Sequence, residues 1–254
     1  MLAEERRAKI LELVNERGSV SVSELHRRLK VSQETIRRDI TKMAQEGRLR
    51  KTHGGALAHD HSEPVFDERM SVNIEGKRAI GRAAAEMVTD DSTLLIDSGT
   101  TTLCLVENLM ERRRLTVYTN DIHIAQRLSG RNDNSVYLTG GEVLASEGAL
   151  VGRDATAMLA NYYPDFAFVG AAAFTTQPFL MDYTREAAEL RTQMLSQART
   201  KVLLIDHTKF GRTGPVKVGG LEDVDVIITD VPLKGDIKTG LAKLSAEILV
   251  AGET

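Results

Sequence analysis

The sequence predicts two folds in one chain: an α+β winged helix at the N-terminus, joined to an α/β, Rossmann-like domain with a mostly parallel sheet. Three observations predict this. The first 57 residues place three short helical patterns ahead of a basic, Gly-containing hairpin pattern. From residue 76 onward, seven short apolar runs alternate with helical patterns, the rhythm of a parallel sheet covered by helices. Charge divides at nearly the same place: residues 1–60 hold 13 Lys and Arg against 9 Asp and Glu, a balance of +4, whereas residues 61–254 hold 20 against 27, a balance of −7. The net charge of −3 therefore hides a basic small part and an acidic large one, and only the former is expected to meet a phosphate backbone. The expected division is a winged-helix domain at 1–57, a linker at 58–75 and an α/β domain at 76–254.

Composition narrows the classes further. A length of 254 residues is enough for two separate cores. With 42% hydrophobic residues and no apolar run of membrane-spanning length, the chain reads as soluble, without a membrane partner. The opening MLAEERRAKI is charged and shows no secretory core, and the single Cys104 has no internal disulfide partner; both point to the cytoplasm. Cys104 reads as a small buried residue rather than a nucleophile. The absence of Trp argues against a base-stacking, single-strand-binding surface. Neither GxGxxG nor GxxxxGK[ST] occurs, so no nucleotide cofactor is expected. His53, His59 and His61 lie near one another, but without cysteine partners or helical spacing they do not make a metal site.

In the N-terminal part, Ile10, Leu13, Val14 and Arg17 give residues 3–17 helical spacing, ended by Gly18. A short extended piece, Ser19 to Val22, precedes a second helix capped by Ser21 or Ser23, with Leu25 and Leu29 one turn apart. The third helix, Ser32 to Glu46, buries Ile36, Ile40 and Met43 beside Ala44. Ser32 caps it, and Gln33, Thr35, Arg37, Arg38 and Lys42 point outward. Gln and Arg pair with base edges, while Arg, Lys, Ser and Thr bond phosphate oxygens, so this face suits a DNA groove as well as it suits plain solvent. Short helix, short turn and outward-facing helix form a helix-turn-helix pattern. After it, GRLRKTHGGAL reads as a wing, with Arg48, Arg50 and Lys51 set for phosphates and Gly54 and Gly55 in the turn.

Together, ERRAKILELV and VSVSELHRRLKVSQETIRRDITKMAQEGRLRKTHGGAL, between Arg6 and Leu57, resemble the DeoR family of bacterial transcriptional regulators. The VSQETIRRDI segment and the LRKTHGGA wing carry the resemblance most specifically. It implies a winged-helix domain that binds double-stranded operator DNA and represses a sugar or polyol catabolic operon. It also implies that FDERMSVNIEGKR at 66–78, which begins inside the charged, Pro64-containing stretch at 58–75, is an ordered strap. Helix-turn-helix operators are usually two-fold, so a homo-oligomer, dimer or tetramer, is expected.

In the C-terminal part the apolar runs are 93–97, 115–119, 135–139, 165–170, 201–206, 225–229 and 247–251, most of them expected to be buried on both faces. Helical patterns lie near 77–87, 101–111, 121–129, 153–161, 185–199 and 235–245. Ligands of such sheets bind beyond the carboxyl ends of the strands, which here carry DSGTTT, TN, TGGE, GAAAF and DHTKFGR. Asp97, Ser98, Gly99, Thr100 and Thr101 can form an anion loop at a helix start, or merely a cap. With Thr119, Asn120, Gly140, Gly141, Gly170, Lys209 and Arg212 on the same edge, a small phosphorylated metabolite is the expected effector. The resemblance agrees: the family's sensor domain looks like ribose-5-phosphate isomerase, and its DSGTT, TN, GG and KFGR motifs match Asp97–Thr101, Thr119–Asn120, Gly140–Gly141 and Lys209–Arg212.

One segment departs from the family pattern. EAAELRTQM at 186–194 puts Arg191 where Lys is expected and Thr192 where Arg is expected. Glu189 and Arg191 then either meet a different effector or pair with each other at the surface. An alternative function is a sugar-phosphate isomerase fused to a DNA-binding module, with Asp97, Glu189 and Lys209 as acid, base and charge stabiliser.

Overall fold

A computed structural model describes residues 3–17, 19–46, 48–51, 54–58, 65–175 and 179–252. The chain forms two compact units, Met1–Pro64 and Val65–Thr254.

The first unit runs α1 (Ala3–Arg17), β1 (Ser19–Ser21), α2 (Val22–Leu29), α3 (Gln33–Gln45), β2 (Leu49–Lys51) and β3 (Gly55–Ala58). The apolar spacing that predicts the helices also buries them. Ile10 and Val14, then Val22 and Leu25, then Ile36, Ile40 and Met43 share one core with Val20, Leu49 and Ala56. Ser21 accepts the Glu24 N–H at 3.1 Å and Ser32 accepts the Thr35 N–H at 3.1 Å, so both helices start on a side-chain cap, each worth about 1 kcal/mol. Asp39 lies on the buried side of α3, where Arg6 of α1 holds it at 2.5 Å. The three strands pair antiparallel in the order β1-β3-β2. Gly55 is not a turn residue as expected. It sits in β3, where a Cβ would lie 2.2 Å from the Val20 carbonyl oxygen, so close packing on β1 requires the glycine. Gly18, Gly47, His53, His59, His61 and Pro64 lie outside the described residues.

The second unit opens with α4 (Phe66–Ser71) and α5 (Ile74–Glu86). The stretch that the resemblance makes an ordered strap is helical from Phe66, with Arg69 buried and Phe66 and Met70 packed on the core. Then follow β4 (Thr93–Ile96), α6 (Thr100–Glu107), β5 (Thr116–Thr119), α7 (Ile122–Leu128), β6 (Ser135–Leu138), β7 (Glu142–Leu144), β8 (Ala149–Val151) and α8 (Arg153–Leu159). The chain continues through β9 (Phe166–Gly170), β10 (Ala173–Phe174), β11 (Leu180–Asp182), α9 (Arg185–Leu195), β12 (Thr200–Leu204), β13 (Val216–Lys217), β14 (Val226–Thr229), α10 (Gly235–Leu241) and β15 (Glu247–Val250).

All seven apolar runs join one parallel sheet, in the order β15-β14-β12-β9-β4-β5-β6. Successive residues of a strand face opposite ways. Leu94 and Ile96 thus enter the core with Ile80, Leu105 and Ile124 of α5, α6 and α7, while Leu95 enters the opposite core with Leu159, Met194 and Leu241 of α8, α9 and α10. Strand β6 is not among the strands buried on both faces: it forms an edge, with Tyr137 and Leu138 exposed. Tyr137 stacks on Tyr118 of β5 at 5.1 Å, and Tyr118 on Tyr162 at 4.0 Å. Two small sheets, β7–β8 and β10–β11–β13, were not expected from the sequence.

The strand order fixes where a ligand belongs. From β4 the chain builds outward through β5 and β6, then returns to β9 on the other flank of β4. The reversal creates a switch point between the carboxyl ends of β4 and β9, the preferred crevice of open parallel sheets.

Candidate functional sites

On the first unit, Ser32, Gln33, Arg37, Arg38 and Lys42 are exposed along α3, and Arg48, Arg50 and Lys51 are exposed around β2. Arg37, Arg38, Thr41, Lys42, Gln45 and Lys51, with Glu34, line one surface groove of about 500 Å³. Its residues are not equally committed. Arg38 leans on Glu34 at 3.3 Å, Arg48 on Glu46 at 3.6 Å, and Lys51 donates to the Thr41 hydroxyl at 3.0 Å. Arg37 and Arg50 have no ion pair among the described residues. Thr35 is half-buried, its hydroxyl bonded to Ser32 at 2.8 Å, so it belongs to the cap more than to the outer face.

On the second unit, the expected effector residues do gather at the carboxyl edge of the sheet, in three groups. The central group is at the switch point: Asp97, directly after β4, accepts the Gly170 N–H from the end of β9 at 3.1 Å. Beside it, the Asn120 side chain accepts the Ser98 N–H at 2.9 Å and donates to the Ser98 hydroxyl at 3.3 Å, which locks the loops after β4 and β5 together. Gly99, at φ +144°, lets the chain turn into α6, and no side chain caps that helix start. Thr100 and Thr101 are buried there. Thr119 is buried too, and its hydroxyl accepts the Asp121 N–H at 3.1 Å. Gly141, at φ +119°, approaches β8 so closely that a Cβ would stand 2.4 Å from the Val151 carbonyl oxygen, so packing alone demands it. Neighbouring Gly140 is exposed. Lys209 is buried on the far side of the switch point, in a turn after β12 whose Asp206 caps Thr208 at 3.1 Å.

Arg191 rules out one of the two alternatives for the departing segment, a surface pair with Glu189. It is buried, not at the surface, and its partner is not Glu189. Its Nε donates to Asp97 Oδ2 at 2.8 Å and its Nη1 donates to Asp182 Oδ2. Glu189 lies exposed on α9, paired with Arg185 at 2.6 Å. Burial pushes the Asp97 carboxyl up while Arg191 opposes it. The isomerase trio is therefore not assembled: Asp97 is engaged by Arg191, and Glu189 is engaged elsewhere.

A second set of polar groups stands on this edge; two of them, Thr139 and Asp206, open the TGGE and DHTKFGR loops without having been singled out as site residues. Among the described residues, the buried oxygens of Asp121 (Oδ2), Thr139 (Oγ1), Asp206 (Oδ2) and Thr229 (Oγ1) have no hydrogen-bond partner. All four stand at strand carboxyl ends, after β5, β6 and β12 and at the end of β14, flanking Asp97 on both sides. Burial pushes the Asp121 carboxyl up. Near Asp206, the Asn73 amide reaches Asp230 at 2.8 Å and Asp206 at 3.3 Å, and His207 Nδ1 meets Asp230 at 2.6 Å. Lys77 is buried, its charged form disfavoured by burial and supported by Asp206. The only local signal for Asp121, Thr139, Asp206 and Thr229 was their place at or just beyond the ends of apolar runs. Cys104 is buried as expected, its thiol pushed up to about 11 by burial. No cluster of three metal-ligating side chains occurs among the described residues, and none of their helices is long and apolar enough to cross a membrane.

Comparison with known proteins agrees with both halves. The DeoR-like helix-turn-helix domain matches residues 6–62, and the DeoR C terminal sensor domain matches residues 72–231. The glycerol-3-phosphate regulon repressor of Escherichia coli is 31% identical over 90% of this chain and 91% of its own. The HTH-type transcriptional regulator GolR of Listeria innocua is 34% identical over 89% and 90%. The HTH-type transcriptional repressor CsqR of Escherichia coli is 29% identical over 98% and 95%. Ribose 5-phosphate isomerase A of Methanocaldococcus jannaschii superposes on 54% of the chain and 55% of its own at a TM-score of 0.38 and 18% identity, a likeness too distant to bear on the site. Matched along nearly its whole length by such regulators, and through its larger unit by the sensor-domain model, the chain belongs to the DeoR family of transcriptional regulators.

Proposed function

We propose that the protein is an operator-binding repressor of a sugar or polyol catabolic operon, released or engaged by a phosphorylated effector at the carboxyl edge of its parallel sheet. Arg37, Arg38 and Gln33 are the base readers, and Lys42, Arg48, Arg50 and Lys51 take phosphates. In the sensor, Ser98, Gly99, Thr100 and Thr101 at the uncapped start of α6 receive the effector's phosphate, with Lys209 supplying charge. The observation that carries this reading is the set of buried oxygens without partners at Asp121, Thr139, Asp206 and Thr229. Unpaired buried oxygens cost free energy, and a polyhydroxylated ligand offers hydroxyls to meet them. The protein acts as a homo-oligomer, because a two-fold operator requires two α3 helices. Regulation is its role, not turnover: the whole-chain relatives are named as regulators and the isomerase trio is not assembled.

A thermal-shift comparison tests this. Glycerol 3-phosphate, the compound in the name of the Escherichia coli relative, is compared with a hexose 6-phosphate and with both unphosphorylated parents. A phosphorylated compound at a hundred times its Kd adds about 2.7 kcal/mol to stability, and its parent should add nothing. Equal shifts from phosphorylated compound and parent would refute the phosphate assignment.

A further inference from the structure

An effector at the sheet edge controls DNA only if its presence is felt where the chain leads to the winged helix. The first helix after that connection is α4, which begins at Phe66. Two kinds of contact tie it to the site. From one side comes the β7–β8 hairpin. Its strand β8 is stitched to the loop after β5: Leu150 N–H donates to the Asn120 carbonyl at 2.7 Å, Asn120 Nδ2 donates to the Leu150 carbonyl at 3.2 Å, and Ile122 N–H donates to the Gly148 carbonyl at 2.9 Å. Asn120 is the same side chain that holds Ser98. Gly148, at φ +63°, is pressed so closely on His123 that a Cβ would lie 2.5 Å from Nε2, so the hairpin and this loop leave no room to slide past each other.

Glu147, the residue before Gly148, forms an ion pair with Arg69 of α4, whose side chain is only 9% exposed. Arg69 also lies 5.8 Å from the Phe66 ring centroid, and that ring stands 5.5 Å from His123. From the other side, Lys77 donates to the Arg69 and Val72 carbonyls, the latter at 2.8 Å, and so anchors the C-terminal end of α4. The pair is thus at the end of an unbroken series: Ser98, Asn120, Leu150, Gly148, Glu147, Arg69.

We propose that the Arg69–Glu147 ion pair is the coupling through which occupancy of the Ser98–Asn120 loops reaches α4, and from there the connection to the DNA-binding unit. The proposal rests on the effector reading above for its ligand, but the coupling itself is testable without one. The pair is part-buried, with Arg69 9% and Glu147 24% exposed, so it is screened less than a surface pair, separating the two ends is unfavourable, and they move together.

The experiment is amide hydrogen exchange on the full chain, read in peptides covering 66–71, 98–101, 120–123 and 148–151, for the parent, Asn120→Ala, Glu147→Gln and the double variant. Asn120→Ala removes the side-chain bonds of Asn120 to Leu150 and Ser98 and leaves the two backbone bonds of the stitch in place. It should speed exchange in 148–151 and, through the ion pair, in 66–71, by about tenfold or more. Glu147→Gln should speed 66–71 alone. In the double variant the loosening of 148–151 should persist while 66–71 exchanges no faster than in Glu147→Gln. If Asn120→Ala leaves either 148–151 or 66–71 unchanged, or if the two effects on 66–71 add, the coupling is refuted. Should Glu147→Gln not fold, Glu147→Asp keeps the charge but shortens the reach and is judged by the same criterion. Glycerol 3-phosphate provides the second arm. It should slow exchange at 98–101 in both the parent and Glu147→Gln, but alter 66–71 only in the parent. An equal response of 66–71 in both proteins refutes the coupling. No response at 98–101 in either counts against glycerol 3-phosphate as the effector, and the variants then decide for or against the ion pair on their own.

Discussion

Arg191 sits where the family pattern calls for lysine, and the structure says what the exchange should cost. The guanidinium spans two buried carboxylates, donating from Nε to Asp97 and from Nη1 to Asp182, with the three side chains 9%, 2% and 4% exposed. A lysine ammonium is a single point and does not reproduce a fork whose two donors face different partners. Arg191→Lys should lose one charge-assisted bond, about 1.5–3 kcal/mol. In a unit of this size that lowers Tm by roughly 3–12 °C. Arg191→Met leaves both carboxylates uncompensated, at about 3–5 kcal/mol or roughly 6–20 °C. The sign with pH follows. Burial already raises the Asp97 carboxyl above its unfolded value, and losing Arg191 raises it further. A raised folded-state value contributes stability at low pH that is lost as pH rises through it, so the deficit of Arg191→Met should shrink on acidification. Scanning calorimetry at neutral and mildly acidic pH measures both effects. The reasoning fails if Arg191→Lys matches the parent's Tm, or if the Arg191→Met deficit does not depend on pH.

Three further expectations concern other parts of the molecule. With operators enriched from a random-sequence pool, Arg37→Ala should cost about 1–3 kcal/mol and relax specificity, whereas Arg50→Ala should weaken all sequences alike and reduce the salt slope by about one; uniform losses for both would remove the division between reader and phosphate contact. Gly55→Ala forces a Cβ against the Val20 carbonyl and should destabilise the first unit by about 1–3 kcal/mol, seen as weakened DNA binding with an unshifted sensor transition; unchanged binding would contradict the packing argument. Burial works against ionisation of Asp230, but the Asn73 amide and the His207 ring and N–H hold its carboxyl below the usual range. Its stabilisation is present above the unfolded value and lost as pH falls through the folded one, so Asp230→Asn should flatten the acid side of the Tm profile. An acid limb identical to the parent's would show that Asp230 does not contribute.

The parts of this fold that were legible in the sequence are those where one local rule suffices. Seven apolar runs became seven parallel strands because strands buried on both faces need only apolar residues, and Ser21 and Ser32 capped helices because hydroxyls there meet orphan N–H groups. Small sheets such as β10–β11–β13 escaped, since strands of two or three residues are too short to show a period. Strand β6 read as buried because its Val, Tyr and Leu are apolar, yet its place at the sheet edge is set by the whole topology. The site was legible as loops and not as pairs. That Asp97 faces Arg191, 94 residues away, or that Arg69 faces Glu147, 78 residues away, is decided by tertiary packing alone.

The tyrosine stack at the sheet edge has an optical consequence. The chain has no Trp and five Tyr, so its near-ultraviolet absorption is essentially tyrosine, and three of the five rings cluster within 6.4 Å across β5, β6 and the segment after α8, with Tyr118 stacked on both others. Rings so close couple their transition dipoles, and their circular dichroism depends on mutual angle more than on solvent. Tyr118 lies two residues before Asn120 in the chain. A rearrangement of the effector loops that tilts β5 against β6 would therefore alter this signal with no label attached, giving the protein an intrinsic chromophore at the place where its regulation is proposed to begin.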